Sequence, residues 1–179
     1  RVEQEEWLTG NLQRWSDRVT EYLEHAEAPV WILAHSFGCL ASAAAMTLTP
    51  EKVAGAFLVA PANPERFGIP YSALNHKLPV TSLVIASTND PWMSQSDASF
   101  WARQWGSELI TLKNAGHINA ESGHGAWPQG RKLFGLLQSL VESQPKPSMR
   151  CCQSSPLTAQ PTYRSSMEYS HHATTTFDP

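Results

Sequence analysis

Four short apolar runs recur within the first 112 residues, and they constrain the fold of this chain more than any other feature. They cover residues 30–34, 53–59, 81–86 and 108–112, which are strand lengths rather than helix lengths. The first three have no polar alternation, and this pattern is typical of strands that are buried on both faces inside a parallel sheet. The runs therefore predict a parallel β-sheet with covered faces.

Helical patterns accompany these runs. Leu12, Trp15, Val19 and Leu23 recur at helical spacing, which predicts an amphipathic helix that ends before Pro29. Three further segments have helical patterns, namely residues 38–48, 94–105 and 131–141. Strands that alternate with helices indicate βαβ units, so the predicted fold class is α/β, with helices packed on a mostly parallel sheet.

The composition of the chain changes after Val141. Residues 144–179 contain six Ser, five Thr and five Pro but no Ile or Val. Such a segment buries too little apolar surface to offset its ordering entropy. We therefore expect a folded domain over residues 1–143 and a disordered tail over 144–179, which either binds a partner or is an extension without a role.

Charge and cysteine content exclude several functional classes. The formal net charge is −3 and the pI about 6.2, which gives no basic footprint for nucleic acid. The longest apolar stretches are too short to cross a bilayer. Three cysteines, two of them adjacent, form neither a disulfide framework nor a CxxC metal pair. We expect a cytoplasmic protein that binds no metal, no membrane and no nucleic acid. The sequence does not indicate whether it has protein partners.

The segment Leu33-Ala34-His35-Ser36-Phe37-Gly38 lies directly between a predicted strand and a predicted helix. It matches the G-x-S-x-G nucleophile elbow, with Ala34 in place of the first glycine. Such a turn exposes the serine hydroxyl and directs the next backbone N–H at the reacting oxygen. The pattern predicts Ser36 as a nucleophile and Phe37 as an oxyanion-hole donor. A serine that merely caps a helix is the alternative.

An aspartate follows the third predicted strand, within Asn89-Asp90-Pro91-Trp92. Ligands in open α/β sheets gather outside the carboxyl ends of the strands, where Asp90 could orient a histidine. The other three aspartates lie in predicted helices or in the tail. Ordinary turn chemistry is the competing interpretation, because Asn-Asp-Pro also favours turns.

A glycine-rich segment follows the last predicted strand and contains two histidines. His117 comes directly after Gly116, where a general base would need to lie over the sheet edge, whereas His124 is further along. We therefore expect His117 to be the base and His124 to order the loop or line a pocket. The order Ser36, Asp90, His117 is that of the α/β-hydrolases.

With these residues in place, the sequence resembles a known family. Residues 34–40, Ser87-Thr88-Asn89-Asp90-Pro91, residues 105–107 and the histidine segment from Gly116 to Pro128 are similar to the small serine hydrolases of the YdeN and retinoblastoma-binding-protein-nine type. The resemblance covers residues 1–141. It implies a compact three-layer α/β-hydrolase-like fold without a large cap domain, no cofactor, and a triad of Ser36, Asp90 and His117. It also implies hydrolysis of small esters or amides through an acyl-enzyme.

Family members begin with a strand and a loop before the region that matches Arg1, and we expect this chain to lack them. The loop is similar to the one that supplies a second oxyanion-hole N–H. The resemblance therefore predicts that the parent fold is a hydrolase, but it does not predict that this chain is active. Without the strand, the sheet would have an open apolar edge beside the Ser36 strand.

Substrate contacts are predicted for His35, Trp92 and Trp127, which adjoin the triad segments. The two tryptophans either line an acyl pocket or are core aromatics. Two other functions compete with hydrolysis. One is a binding module on a hydrolase scaffold without turnover. The other is a flavodoxin-like anion binder that uses the Ser36–Gly38 turn, although no G-x-G-x-x-G or P-loop lysine supports it.

Overall fold

The computed structural model describes residues 1–144. Within them, helices and strands alternate as the sequence pattern predicts. The helices are α1 (Leu12–Glu24), α2 (Phe37–Met46), α3 (Gln95–Trp105) and α4 (Pro128–Ser143). The strands are β1 (Val30–His35), β2 (Val53–Val59), β3 (Ser82–Ser87) and β4 (Glu108–Leu112). Three short 3-10 helices, which the sequence pattern did not indicate, cover Pro50–Lys52, Pro64–Phe67 and Tyr71–Ala73.

The four strands form one parallel sheet in the order β1-β2-β3-β4. All their carboxyl ends therefore meet at the same edge, and the loops that follow β1, β3 and β4 converge there. His35 pairs with Val59 at the end of β1, and Ser87 pairs with Leu112 at the ends of β3 and β4. The predicted α/β class with a parallel sheet is confirmed.

Helices cover both faces of the sheet and make three layers. On one face, α1, α2 and α3 share a buried apolar cluster with alternate strand residues such as Ile32, Leu58 and Val84. On the other face, α4 packs Leu133 and Leu137 against the intervening strand residues. Helix α2 is apolar nearly all round and almost wholly buried, because it lies between α1 and the sheet.

The helix ends follow the usual capping rules. Asn11 caps α1 by accepting the Arg14 N–H, and Ser94 caps α3 by accepting the Asp97 N–H. Gly106 ends α3 in the left-handed conformation. Helix α4 begins three residues earlier than its predicted start, since Pro128 occupies a first-turn position where a missing N–H costs nothing.

The burial predicted for the first strand is wrong. β1 lies at the edge of the four-stranded sheet, and Leu33 is 62% exposed. An unbroken apolar run reports that both faces of a strand are apolar, but it does not report how many strands lie beside it. The exposed Leu33 and Val30 thus form an open apolar edge next to the elbow.

No helix between residues 1 and 144 is long and apolar enough to span a bilayer. The predicted tail, apart from its first residue, lies outside the described residues. The domain boundary at residue 143 therefore stays a prediction.

Candidate active site

Ser36 occupies a strained turn between β1 and α2. Its backbone has φ 54° and ψ −124°, a region that non-glycine residues rarely adopt. Strain of this kind persists only where the surrounding structure imposes it, and it concentrates at functional sites. Two bonds fix the turn: the Ser36 N–H donates to the Val59 carbonyl at 3.0 Å, and the Ser36 carbonyl accepts from the Cys39 N–H at 3.0 Å.

The small residues that flank Ser36 leave room for this geometry. A Cβ added to Gly38 would lie 4.0 Å from the Cβ of Ala34, which is ordinary van der Waals distance. Alanine at position 34 therefore serves the turn as the sequence analysis anticipated, and the turn tolerates one methyl group on each side.

Ser36, His117 and Asp90 form a continuous chain of hydrogen bonds. The Ser36 hydroxyl lies 3.0 Å from His117 Nε2, and His117 Nδ1 lies 2.9 Å from Asp90 Oδ2 and 3.1 Å from Oδ1. The side chains of His117 and Asp90 are only 12% and 2% exposed. Because this carboxylate accepts at Nδ1, Nδ1 carries the proton and Nε2 is free to accept the serine proton.

A second bond fixes the orientation of the Asp90 carboxylate. Oδ1 accepts the backbone N–H of Trp92 at 2.9 Å. The Asn89-Asp90-Pro91 segment thus forms a turn and also holds the His117 ring. Turn chemistry and orientation of a histidine, the two interpretations of this sequence, are therefore compatible.

The backbone N–H of Phe37 begins α2, where the first N–H groups have no partner inside the helix. It lies beside the Ser36 hydroxyl at the positive end of the helix dipole. Its position suits a donor to a developing oxyanion, which is the role that the sequence predicted for it.

His35 contacts the histidine loop directly. Its Nε2 lies 2.8 Å from the backbone carbonyl of His117, and the two rings are 4.7 Å apart. Loss of solvent around the ring is the main reason that the pKa of His35 falls below its usual range, although the bond to His117 opposes the shift. His35 thus contacts the loop that carries His117, and its predicted contact with substrate stays a prediction.

Of the two predicted substrate-contact tryptophans, Trp92 lies near the His117 ring. Trp92 is 54% exposed, and its ring centroid is 6.5 Å from that of His117. The Arg66 guanidinium stacks over Trp92 at 5.4 Å and donates to the Pro91 carbonyl. Phe67 packs on Phe37 with the rings 4.7 Å apart. The 3-10 helix Pro64–Phe67 thus forms an aromatic and cationic rim. The sequence did not indicate this rim, because so short a helix has no periodic pattern.

Trp127 lies over the sheet face that α4 covers. Its ring is 6.2 Å from Phe57, and it borders a cavity of about 380 Å³ that also meets His35 and Leu33. Trp127 therefore acts partly as a core aromatic, and its predicted contact with substrate stays a prediction. The His124 ring packs edge-on against Trp127 with the centroids 5.9 Å apart, and its Nδ1 lies 3.2 Å from Ser122 Oγ.

No group of three or more His, Cys, Asp or Glu side chains in the described part of the chain is placed to hold a metal ion. Cys39 is buried beneath the elbow, where burial raises the pKa of its thiol. Its Sγ–H donates to the Val59 carbonyl at 3.4 Å, so this cysteine acts as a small core residue.

The three-layer fold, the parallel sheet and the strained serine turn define a protein of the α/β-hydrolase class. Comparison with known proteins narrows this class. The chain belongs to the serine hydrolase family, whose model matches residues 1–136. No curated protein matches the chain.

Solved structures support the same assignment. A protein from Pectobacterium atrosepticum, described as a YdeN-like hydrolase, is 40% identical; the match covers 79% of this chain and 76% of that one, with a TM-score of 0.74. The YdeN protein of B. subtilis is 20% identical over 74% of this chain and 77% of its own, with a TM-score of 0.60. A hydrolase from Oleispira antarctica shares the fold at 13% identity, with 73% of each chain covered and a TM-score of 0.59. The resemblance to YdeN-type hydrolases is thereby confirmed.

Proposed function

We propose that this protein cleaves small carboxylic esters or amides through an acyl-enzyme on Ser36. The observation that carries the proposal is the unbroken chain of hydrogen bonds from Asp90 through His117 to the Ser36 hydroxyl. A serine that only capped α2 would bond to a backbone N–H in the first turn, but Ser36 makes no such side-chain bond.

The proposed reaction has two stages. His117 Nε2 takes the proton as Ser36 Oγ attacks the carbonyl carbon, and the Phe37 N–H stabilises the oxyanion. Asp90 keeps the proton on Nδ1 and stabilises the imidazolium. His117 then protonates the leaving alcohol or amine, and a water molecule activated by the same nitrogen hydrolyses the acyl-enzyme.

The rim suggests which substrates fit. Exposed Trp92 and Phe67 flank the triad and favour small apolar groups next to the scissile carbonyl. We include in the proposal a small-molecule substrate, no cofactor, and a cytoplasmic location.

Labelling with a fluorophosphonate tests the proposal. The wild-type chain should form one adduct that peptide mass mapping places on Ser36. Ser36→Ala should form none, while Ser139→Ala, which changes an exposed serine on α4, should label like wild type.

Two results would count against hydrolysis. Absence of any adduct in a chain shown to be folded would favour the alternative function, a binding module without turnover. An adduct that survives in Ser36→Ala would assign the nucleophile to another residue.

A further inference from the structure

The loops that follow β3 and β4 are joined by four successive contacts. After the last backbone bond between Thr88 and Leu112, side chains of residues 87–90 take over as acceptors for residues 114–117. We call this set of contacts the loop ladder. Its rungs, acceptor first, are Thr88 Oγ1 with Asn114 N at 2.9 Å, Ser87 Oγ with Ala115 N at 3.0 Å, Asn89 Oδ1 with Gly116 N at 2.8 Å, and the Asp90 carboxylate with His117 Nδ1 at 2.9 Å.

Ser87 and Asn89 lock each other into this arrangement. The Ser87 hydroxyl donates to Asn89 Oδ1 at 2.9 Å and accepts from the N–H groups of Ala115 and Asn89. Its one donor and two acceptor positions are therefore all used, and the residue is 1% exposed. Because Asn89 Oδ1 accepts from both Ser87 and Gly116, its amide has only one orientation that satisfies the network.

The rung at Gly116 fixes the backbone immediately before His117. Gly116 has φ +59°, and a Cβ there would lie 2.7 Å from the Cβ of Ser122. On its far side the loop is closed by a reciprocal pair, since the N–H of Asn119 donates to Ser122 Oγ and the N–H of Ser122 donates to Asn119 Oδ1, both at 3.0 Å. The backbone on both sides of His117 is thus fixed, and Asn89 supplies the bond immediately before it.

We propose that Asn89 is a positioning residue: through the Gly116 N–H, and with Ser87 behind it, Asn89 sets the placement of the His117 ring between Asp90 and Ser36. Asp90 restrains only the ring. Without the Asn89 rung, the peptide between Ala115 and His117 can rotate, and Nε2 moves relative to the Ser36 hydroxyl. The kinetic part of this inference rests on the proposed hydrolase function.

The test compares Asn89→Ala with Asn11→Ala as a matched control. Asn11 makes the same type of bond, Oδ1 to the Arg14 N–H at 3.0 Å, but at the start of α1. We expect Asn89→Ala to lower the limiting rate of fluorophosphonate labelling at Ser36 by about 10- to 100-fold, since a misplacement near 1 Å costs that much. The half-saturating probe concentration should stay unchanged, and Asn11→Ala should label at the wild-type rate.

Asn89→Asp supplies a second readout. Its carboxylate can accept the same two bonds, so most of the limiting rate should return at high pH. A second carboxylate near His117 favours the imidazolium, so the acidic limb of the pH–rate profile should move to higher pH. This shift reports only that position 89 lies close to the His117 ring, whereas the return of the limiting rate tests the positioning role.

A spectroscopic measurement separates this inference from the proposed function. The His117 Nδ1–H bonded to Asp90 should give a far-downfield proton resonance in the wild-type chain, and Asn89→Ala should broaden or lose it. If no variant is labelled, the hydrolase proposal fails, and this resonance still decides the role of Asn89.

Wild-type labelling and an intact resonance in Asn89→Ala would overturn the inference. Equal rate losses in Asn89→Ala and Asn11→Ala would also overturn it. Should Asn89→Ala not fold, Thr88→Val removes the neighbouring acceptor on an exposed residue. A smaller loss of limiting rate in that variant supports the ladder, and an unchanged rate contradicts it.

Discussion

At the residue scale, His35 shows how one side chain links the elbow to the histidine loop. Its Nε2–H donates to the His117 carbonyl at 2.8 Å, and its ring packs against the His117 ring. The site thereby gains a bond across the gap between β1 and the loop. It does so with a ring that is partly removed from water, and this loss of solvent lowers the pKa of His35.

The lowered pKa predicts how stability depends on pH. Between the native pKa and the ordinary value of about 6.5, the unfolded chain holds more protons at His35 than the native chain does. The contribution of His35 to the free energy of unfolding therefore falls as the pH drops below about 6.5. His35→Gln should lose less stability than wild type between pH 7.5 and 5.5 in urea titrations. Parallel curves for wild type and His35→Gln would refute the argument.

The sequence located the candidate residues but not the contacts between them. Ser36, Asp90 and His117 could be proposed because each directly follows a predicted strand, and parallel strands end at one edge. Their catalytic roles stay predictions. The contributions of Ser87 and Asn89 were not visible, since a Ser-Thr-Asn-Asp run has the composition of any turn. Only the register of β3 on β4 shows that these side chains face the N–H groups of residues 114–116.

At the element scale, two glycines in the site loops differ in backbone conformation and in the space around them. Gly38 lies in the first turn of α2, has an ordinary backbone conformation, and would accept a Cβ at 4.0 Å from Ala34. Gly116 combines a positive φ of 59° with a Cβ position only 2.7 Å from Ser122. Neither space nor backbone conformation requires a glycine at position 38, whereas both require one at position 116.

The same substitution should therefore act oppositely at these two positions. Gly38→Ala should keep or raise the free energy of unfolding, by up to about 1 kcal/mol, because alanine favours the helix and restricts the unfolded chain. Gly116→Ala should lower it by roughly 1–3 kcal/mol through strain and crowding. Chemical denaturation of both variants measures the two changes in the free energy of unfolding. Equal changes in the two would show that the turn after β1 is as tightly packed as the histidine loop.

Elements with a strong local signal were predictable, and those defined by neighbours were not. The helix at residues 94–105 was legible because Gly106 marks its end; the structure begins it at Gln95, with Ser94 as its cap. The 3-10 helices at Pro64–Phe67 and Tyr71–Ala73 are too short for a periodic pattern. β1 was recognised as a strand from its apolar run, but that run also predicted burial on both faces; its position at the sheet edge was expected only from the family resemblance.

At the scale of the whole molecule, the sheet ends in an open edge beside the candidate site. Within residues 1–144, β1 pairs only with β2, so the N–H and C=O groups on its outer side have no strand partner. Leu33 at 62% and Val30 at 38% exposure add apolar side chains to this edge. Such an edge is a template for strand pairing with another chain. Within the described residues, the loop that carries Ser36 thus lies next to an unpaired strand edge.

This edge predicts self-association that a single charge suppresses. We expect the chain to associate in a concentration-dependent way, and we expect Leu33→Lys to reduce that association because a lysine on an edge strand opposes edge-to-edge pairing. The matched control is Leu48→Lys, since Leu48 is 66% exposed but follows α2, away from the edge. Sedimentation velocity over a range of concentrations compares the three proteins, with the free energy of unfolding expected to stay within about 0.5 kcal/mol. A similar fall in both variants would show that net charge, rather than the β1 edge, governs association, and an unchanged Leu33→Lys would assign it to another surface.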